Sequence, residues 1–190
     1  MNVCILAGSP HPKGNTESLL LSFREELEQG GAAVRVFRLY DLCIQPCRGC
    51  RGCQADWTQF GCVQNDDVPA IAKAVLDCDL LVLAAPIYSW YCPAPMKALL
   101  DRLVYGMNKY YGEHRGPSLW SGKRMALLLT CGYPPEKGTD LFEEGMRRYC
   151  RHSGLIFAGA HTERHMSYRT EFMDADKDCR VRAFARELLH

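Results

Sequence analysis

The sequence predicts a doubly wound α/β fold, in which five parallel strands alternate with helices. Short apolar runs of strand length alternate along the chain with segments whose apolar residues recur at helical spacing. Strands that follow one another through a helix run parallel, because a parallel pair needs a long crossover connection. A chain of 190 residues fits one ordinary domain and can bury a sizeable core. We therefore predict a single domain over residues 1–190.

The first third of the chain predicts strand, helix and strand. Residues 3–7 form a short apolar run, which is typical of a buried strand. The helix predicted over residues 16–29 has a periodic apolar face and stops at the pair Gly30-Gly31. Residues 33–39 are rich in valine and other apolar residues and predict the second strand.

The remaining elements follow the same alternation. Asp66 and Asp67, followed closely by Pro69, indicate the start of a helix that runs to about residue 77. Residues 80–84 are the most apolar run in the chain, so we predict a central strand there. Further along, the pattern predicts a helix at 95–103, a strand at 124–130, a helix at 140–153, a strand at 155–161 and a helix at 174–189.

Composition and charge argue against several classes of partner. The net charge is +1, and lysine and arginine are spread along the chain, so a nucleic-acid or anionic-membrane surface has no support. No apolar run approaches the roughly 20 residues that span a bilayer. The N-terminus reads as a strand and not as a signal peptide. We therefore expect a cytoplasmic protein, in which eleven cysteines indicate metal binding or redox chemistry more than disulfides.

The connection between the first strand and the first helix has the composition of an anion site. Residues 8–16 read Gly-Ser-Pro-His-Pro-Lys-Gly-Asn-Thr. N–H groups and the dipole at a helix N-terminus attract anions, Gly14 lets the main chain approach closely, and Ser9, Asn15, Thr16 and Ser18 can add polar contacts. The segment matches neither common nucleotide-binding glycine motif. Taken alone, it fits equally well an ordinary turn in which Asn15 or Thr16 caps the helix.

An aromatic segment follows the predicted central strand. Residues 86–91 read Pro-Ile-Tyr-Ser-Trp-Tyr, and a flat heterocycle could pack there. Ligands of doubly wound sheets bind outside the carboxyl ends of the strands. The connections that belong to this edge are residues 8–16, 40–66, 85–94 and 131–139.

Three motifs, in order, resemble the NAD(P)H-dependent FMN reductase family. They are Gly-Ser-Pro-x-x-x-Gly-Asn-Thr at 8–16, Ala-Pro-Ile-Tyr at 85–88 and Met-Lys-Ala-Leu-Leu-Asp-Arg at 96–102. That family has the flavodoxin-like fold and includes multimeric flavodoxins and iron–sulfur flavoproteins. The resemblance covers residues 3 to about 135 and implies a sheet of order 2-1-3-4-5 with helices on both faces.

The resemblance also implies non-covalent FMN. It assigns the phosphate to the loop before the first helix and the isoalloxazine to the loops after the third and fourth strands. The implied residues are Ser9, His11, Gly14, Asn15, Thr16 and Ser18 for the phosphate, Pro86, Ile87, Tyr88, Ser89 and Trp90 for one side of the ring, and Thr130, Cys131, Gly132 and Tyr133 for the other.

The chemistry implied is an FMN-dependent oxidoreductase with NAD(P)H as electron donor. The flavin carries the reaction, so no side chain is assigned a catalytic role. The acceptor is a quinone, a flavin, or another small molecule or protein. The alternative is a flavodoxin-like or iron–sulfur flavoprotein electron carrier that has no small-molecule substrate of its own.

The cysteines are concentrated in one stretch. Cys47, Cys50 and Cys53 form a CxxCxxC run, and Cys62 follows after a longer gap. Arg48 and Arg51 would offset thiolate charge, while Gly49 and Gly52 give the loop freedom to turn its sulfurs inward. Iron–sulfur flavoproteins use a similar motif for a [4Fe–4S] cluster beside FMN, although its last gap is usually shorter. The alternatives are free or redox-active thiols, including a reversible disulfide, and zinc, which usually takes two separated pairs of ligands.

Three further features have simpler interpretations. The aromatic insertion at about 104–122 is long for a connection, and we interpret it as a lid over the flavin or as a contact in a homodimer or homotetramer. Lys97 and Asp101 stand four residues apart on a helix and predict an ordinary ion pair. His161 and His165 lack the spacing of a helical metal motif, so we expect them to be solvated or hydrogen-bonded.

Overall fold

The computed structural model describes residues 1–166 and 170–190. Every predicted strand and helix is present, with small shifts at the ends. One short α-helix and two 3₁₀ turns, Leu39–Asp41 and Gly52–Gln54, are additional. The strands are β1 Asn2–Ala7, β2 Ala33–Arg38, β3 Leu80–Pro86, β4 Arg124–Cys131 and β5 Ile156–Arg164. The helices are α1 Asn15–Gln29, α2 Val68–Asp77, α3 Ala94–Met107, α4 Pro135–Gly138, α5 Asp140–Ser153 and α6 Ala175–Leu188. Within the described ranges, no helix is long and apolar enough to cross a membrane.

The five strands form one sheet of order β2-β1-β3-β4-β5, in which all neighbours are parallel. This order confirms the predicted flavodoxin-like topology. All seven residues of β3 are buried, which confirms its prediction as a central strand. Because the strands run in one direction, the connections that follow β1, β3 and β4 meet at one edge of the sheet.

Two apolar cores lie on the two faces of the sheet. Successive side chains of a strand point to opposite faces, so Leu81 and Leu83 pack on one face while Leu80 and Val82 pack on the other. Helices α2, α3 and α5 cover the first face, and α1 and α6 cover the second. With both faces covered, only the strand ends and their connections are left to form a site.

His161 and the predicted Lys97–Asp101 pair make structural contacts outside the strand-end edge. His161 Nε2 lies 3.1 Å from Glu163 Oε1, and both carboxylate oxygens of Glu163 accept from Arg180 at 2.9 Å. His161 Nε2 is buried and makes no hydrogen bond of good geometry, so the hydrogen bonding expected of His161 stays a prediction. Lys97 Nζ lies 2.7 Å from Asp101 Oδ2, with 59% and 42% of the two side chains exposed.

Because the Lys97–Asp101 pair is solvent-exposed, we expect Lys97→Ala to change the free energy of unfolding by less than about 0.5 kcal/mol. Urea unfolding of the variant beside the wild type measures this difference. A loss above about 1 kcal/mol would show that the pair has a structural role that its exposure does not explain.

Candidate functional site

A cleft with a volume of about 570 Å³ opens at the carboxyl ends of β1, β3 and β4. Its walls bring together three segments that are far apart in the sequence. The predicted flavin residues that line it are Ser9, His11, Gly14, Asn15, Thr16, Pro86, Ile87, Tyr88, Ser89, Trp90, Thr130, Cys131, Gly132 and Tyr133, and Gly138 and His165 complete it. Only Ser18 of the predicted set lies outside the cleft.

One end of the cleft is the N-terminus of α1. The residue that precedes the helix, Gly14, has extended backbone (φ −86°, ψ 179°), and no side chain caps the helix. The alternative of an ordinary cap by Asn15 or Thr16 is therefore wrong. The first N–H groups of an α-helix have no partner within the helix. At this end of the cleft they fit a bound anion, and a phosphate group suits the site.

Ser18 does not line the cleft but stabilises the first turn of α1. Its Oγ donates to the carbonyl oxygen of Gly14 at 3.2 Å, one helical turn away. The Thr16 hydroxyl is also engaged, since its Oγ1 lies 2.8 Å from Oγ1 of Thr130 in a buried hydrogen bond. This bond joins the start of α1 to the end of β4. It therefore links the helix wall of the cleft to its strand wall.

The aromatic segment after β3 is a tight hairpin. Tyr88 N donates to the Tyr91 carbonyl at 2.9 Å, and Tyr91 N donates back at 3.0 Å. The two residues at the tip, Ser89 and Trp90, have φ of 50° and 67°. Positive φ at both central positions is the type I′ geometry, which asparagine and glycine favour. Such backbone angles cost about 1–3 kcal/mol per residue and tend to occur at functional sites.

The strain at the hairpin tip leads to a prediction. We expect Ser89→Gly to raise the free energy of unfolding by about 1 kcal/mol, because glycine adopts positive φ without steric conflict. The gain is partly offset because glycine has more freedom in the unfolded chain. Chemical denaturation in the absence of flavin measures it. A lower stability of the glycine variant would show that the Ser89 side chain matters more than the strain.

The hairpin is held against the loop after β4. Trp90 Nε1 donates to the Lys137 carbonyl at 3.0 Å, and its ring stacks on Tyr133 with centroids 6.0 Å apart and planes 9° from parallel. Both rings keep large exposed surfaces, 44% for Trp90 and 61% for Tyr133. Exposed aromatic faces beside a cleft are suited to contact with flat molecules.

Cys131 forms part of the inner wall. Burial raises the pKa of its thiol, and Sγ donates to the Tyr133 carbonyl at 3.1 Å. The neutral, hydrogen-bonded thiol is therefore a packing group in the wall of the cleft. Cys4, Cys78 and Cys150 are buried as well.

Gly138 and His165 are the two lining residues that sequence reasoning missed. A Cβ on Gly138 would lie 3.0 Å from Cys131 Sγ, so α4 packs closely on the end of β4 only because this position is glycine. His165 N donates to the Cys131 carbonyl at 2.8 Å, just beyond β5. The predicted strand order already places β5 beside β4. Ligands of doubly wound sheets bind outside the carboxyl ends of the strands. Because His165 follows the carboxyl end of β5, it could have been predicted to line the cleft.

The cysteine loop, residues 40–66, forms a second cavity of about 250 Å³. Cys47, Cys50, Cys53 and Cys62 all line it, together with Arg102 from α3. Among the residues that the structure describes, no group of three or more His, Cys, Asp or Glu side chains is close enough to hold a metal ion. The four thiols thus face one cavity without standing at ligand distance from a common point.

The turns of this loop differ in detail from the prediction. Gly49 has a left-handed backbone, with φ of 65°, as expected, but the second left-handed residue is Arg51, with φ of 58°. Gly52 does not supply a left-handed turn. It allows close packing, because a Cβ at this position would lie 2.7 Å from Val63. Gly49 N also donates to Cys47 Sγ at 3.5 Å, an N–H···S contact of the kind that supports thiolate ligands.

The aromatic insertion packs on the cysteine loop. Gln54 Nε2 donates to the carbonyls of Tyr105 and Asn108, and Tyr111 N donates to Gln54 Oε1 at 3.1 Å. Trp120 is fully buried. No residue of the insertion lines the first cleft, so the structure does not place it as a lid over that site. A contact between subunits stays a prediction.

With the fold and both cavities described, the chain can be compared with known proteins. Residues 1–159 match the family model of NADPH-dependent FMN reductase. The chain therefore belongs to this family of flavodoxin-like proteins, as its motifs predicted.

Particular relatives cover shorter stretches. An iron–sulfur flavoprotein of Archaeoglobus fulgidus is 34% identical over 102 residues, which are 53% of this chain and 45% of the relative. An FMN-dependent NADH:quinone oxidoreductase of Pseudomonas syringae is 35% identical over 68 residues, 35% of this chain and 34% of the relative. The chain thus spans about half the length of the iron–sulfur flavoproteins it matches, and less of the quinone oxidoreductase.

Solved structures show the same fold over the full chain. The NAD(P)H:quinone oxidoreductase of Methanothermobacter marburgensis superposes with a TM-score of 0.73 at 22% identity, covering 99% of this chain and 98% of the other. At this level of identity the likeness establishes the fold alone.

Proposed function

We propose that the chain is an FMN-dependent oxidoreductase that takes electrons from NAD(P)H and passes them to a quinone, a flavin or another acceptor. One observation carries the proposal. A single cleft has the uncapped N-terminus of α1 at one end and the aromatic hairpin at the other. This arrangement suits a molecule with a phosphate at one end and a flat ring system at the other, and FMN is such a molecule.

The residues divide by role. The N–H groups of the first turn of α1, with Ser9, Asn15 and Thr16, would bind the phosphate. The ring would lie among the residues of the hairpin and the Thr130–Tyr133 segment. Bound FMN supplies reversible two-electron chemistry, since its ring can accept hydride from a nicotinamide. The protein's part is to hold the ring in one orientation and to limit its contact with water.

The isoalloxazine ring of FMN would lie between the ends of β3 and β4 on its inner side and aromatic side chains on its outer side. Ile87 N donates to the Thr130 carbonyl at 2.8 Å, which fixes the end of β3 against β4. On the outer side, Tyr88 is 47% exposed and, with Trp90 and Tyr133, leaves aromatic surface facing solvent. Nicotinamide and quinone rings are both flat. An open aromatic rim therefore supports the successive binding of donor and acceptor at one place.

A quinone acceptor has independent support from the relatives. The Pseudomonas syringae protein carries NADH:quinone oxidoreductase in its name, and its match with this chain is 35% identical. We propose the same class of acceptor here.

We also propose that the cysteine loop holds a [4Fe–4S] cluster. The donor set suits the group in its chemistry, because Cys47, Cys50, Cys53 and Cys62 line one cavity and N–H groups already point at three of their sulfurs. The iron–sulfur flavoprotein relatives support this assignment. Bound there, the cluster would supply one-electron transfer beside the flavin.

Anaerobic purification with counts of FMN and iron per chain tests the proposal. We expect a yellow protein whose flavin absorbance bleaches rapidly on addition of NADH or NADPH and recovers when a quinone is added. Bleaching by dithionite alone would favour an electron carrier. A protein that binds no FMN would overturn the proposal.

A homodimer or homotetramer stays a prediction. Light scattering coupled to size-exclusion chromatography gives the number of chains in solution. A monomer at micromolar concentration would contradict it.

A further inference from the structure

Two buried cations lie beside the cysteine cavity, and neither belongs to the FMN cleft. Arg102 on α3 is 2% exposed, and Lys109 in the aromatic insertion is 0% exposed. Lysine and arginine are almost never fully buried unless they are paired, so each needs an explanation.

Arg102 connects three parts of the cysteine loop. Its Nη1 donates to an oxygen of Asp66 and to the Gln45 carbonyl, and its Nη2 donates to Cys62 Sγ at 3.2 Å. Asp66 balances the charge of Arg102, and the side chains of this ion pair are each 1% exposed. The Nε donor is buried without a partner. A guanidinium in this position holds the start and the end of the loop together and points a donor at one sulfur.

Lys109 holds the middle of the loop. Its Nζ donates to the carbonyls of Cys53 and Gln59, each at 2.7 Å, and to the Phe60 carbonyl at 3.4 Å. Within the described residues, no carboxylate lies within ion-pair distance of this ammonium group. A buried charge that has only dipolar partners costs several kcal/mol. Asp56 acts on this ammonium from beyond ion-pair distance, so a further negative charge close to Lys109 would stabilise it.

The cysteine cavity adjoins Lys109 through Cys53 and can carry such a charge. Lys109 contacts the main chain of Cys53. Cys53 lines the cavity, and its Sγ donates to the Tyr105 carbonyl at 3.4 Å. With four neutral thiols, the carboxylate that acts on the ammonium is that of Asp56, which lies beyond ion-pair distance, whereas a cluster held by four thiolates adds a net negative charge beside Cys53.

We infer that Arg102 and Lys109 are the positioning residues of the cysteine cavity: Arg102 orients Cys62 through an N–H···S bond, and Lys109 is the buried counter-cation of an anionic metal–thiolate centre. This inference rests on the proposed cluster. Hydrogen bonds to sulfur and nearby positive charge favour the reduced, more negative state of such a centre. Both residues therefore raise its reduction potential.

The test uses the full chain, purified anaerobically and reconstituted with ferrous iron and sulfide. Four variants are compared with the wild type: Lys109→Gln, Arg102→Met, Arg102→Lys and Lys97→Ala. Glutamine keeps an amide donor for the carbonyls while it removes the charge. Lys97→Ala removes an exposed cation from α3 and is the matched control. Readouts are iron per chain, FMN per chain and the midpoint potential from an EPR-monitored titration.

We expect Lys109→Gln to keep its FMN, to hold at most about half of the wild-type iron, and to show a lower midpoint potential. Arg102→Met should lose most of the iron, and Arg102→Lys should recover part of it because it keeps a cationic donor. Lys97→Ala should match the wild type in all three readouts. Should Arg102→Met fail to fold, Lys109→Gln and Arg102→Lys still decide the result.

The failures are distinguishable. A wild-type protein that takes up no iron on reconstitution would overturn the cluster and this inference together. A full complement of iron with an unchanged potential in Lys109→Gln would overturn the inference and leave the cluster standing. Loss of FMN in the same variants would show a general structural defect and would also contradict the assigned role.

Discussion

Replacing Asn15 with aspartate is expected to weaken FMN binding by a factor on the order of 10²–10³ without damage to the fold. Asn15 lies at the start of α1 and lines the cleft at the end where we propose that the phosphate binds. A carboxylate there would repel the phosphate. Two unit charges roughly 4 Å apart interact by about 4 kcal/mol at an effective dielectric constant of about 20, and every 1.4 kcal/mol is about tenfold in affinity.

The same substitution should stabilise the protein when no flavin is bound. An acidic residue in the first turn of a helix interacts favourably with the helix dipole by about 0.3–1 kcal/mol. Binding and stability therefore change in opposite directions, which separates loss of the phosphate site from loss of the fold. FMN fluorescence titration gives the affinity, and thermal unfolding of the flavin-free protein gives the stability.

Asn15→Ser is the matched control. Serine is neutral and polar, so FMN affinity should fall less than about tenfold, in line with the loss of at most one hydrogen bond. If Asn15→Asp binds FMN as tightly as the wild type, the phosphate does not bind at α1, and the orientation proposed for FMN is wrong.

Asp66→Ala is expected to lower the free energy of unfolding by about 3–5 kcal/mol, because it leaves the buried Arg102 without its counter-charge. The substitution also removes the acceptor for two main-chain donors, Gln45 N at 3.0 Å and Val68 N at 3.2 Å. Denaturant unfolding measures the loss. The start of α2 and the cysteine loop should be the first regions to exchange amide hydrogens.

A double variant is the control. Asp66→Ala combined with Arg102→Met removes both charges, and apolar replacement of a buried ion pair is often close to neutral. We therefore expect the double variant to be more stable than Asp66→Ala alone. If the double variant loses as much stability as the sum of the two single variants, the loss in Asp66→Ala does not come from the unpaired charge of Arg102.

The stability should also depend on pH through Asp66. Burial by itself would raise the pKa of this carboxyl, but hydrogen bonds from Arg102, Gln45 N and Val68 N outweigh it, and the net pKa lies below the ordinary value. A depressed pKa in the folded state contributes stability that is present above the unfolded pKa of about 3.9. That stability is lost as the pH falls through the folded value. In Asp66→Asn, which has no carboxyl at this position, we expect the free energy of unfolding to fall less steeply as the pH is lowered below about 3.9.

Much of the fold is determined by short stretches of sequence. The strands and helices could be predicted because apolar periodicity is a local property, and β3 could be placed at the centre because its residues are apolar on both faces. Gly14, Asn15 and Thr16 were likewise accessible, since a strand, a glycine-containing turn and a helix are consecutive in the chain.

Other parts of the sites depend on residues that the sequence keeps far apart. The Thr16–Thr130 bond, the contact of His165 with Cys131 and the N–H···S bond from Arg102 to Cys62 each join different elements. No local pattern marks these partners. Ser89 and Trp90 were recognised as an aromatic loop, but their positive φ is a result of the two-residue hairpin and not of their own preferences.

By itself, the sequence predicted the order of the elements and the edge of the sheet where the first cleft opens. It also predicted the residues that line this cleft, other than Gly138 and His165. Only the tertiary structure showed that the aromatic insertion covers the cysteine loop, and that Lys109 and Arg102 are buried there. The physical reason is that burial and charge balance are properties of the packed chain. A lysine has the same ordinary appearance in a sequence whether solvent or a ring of carbonyls surrounds it.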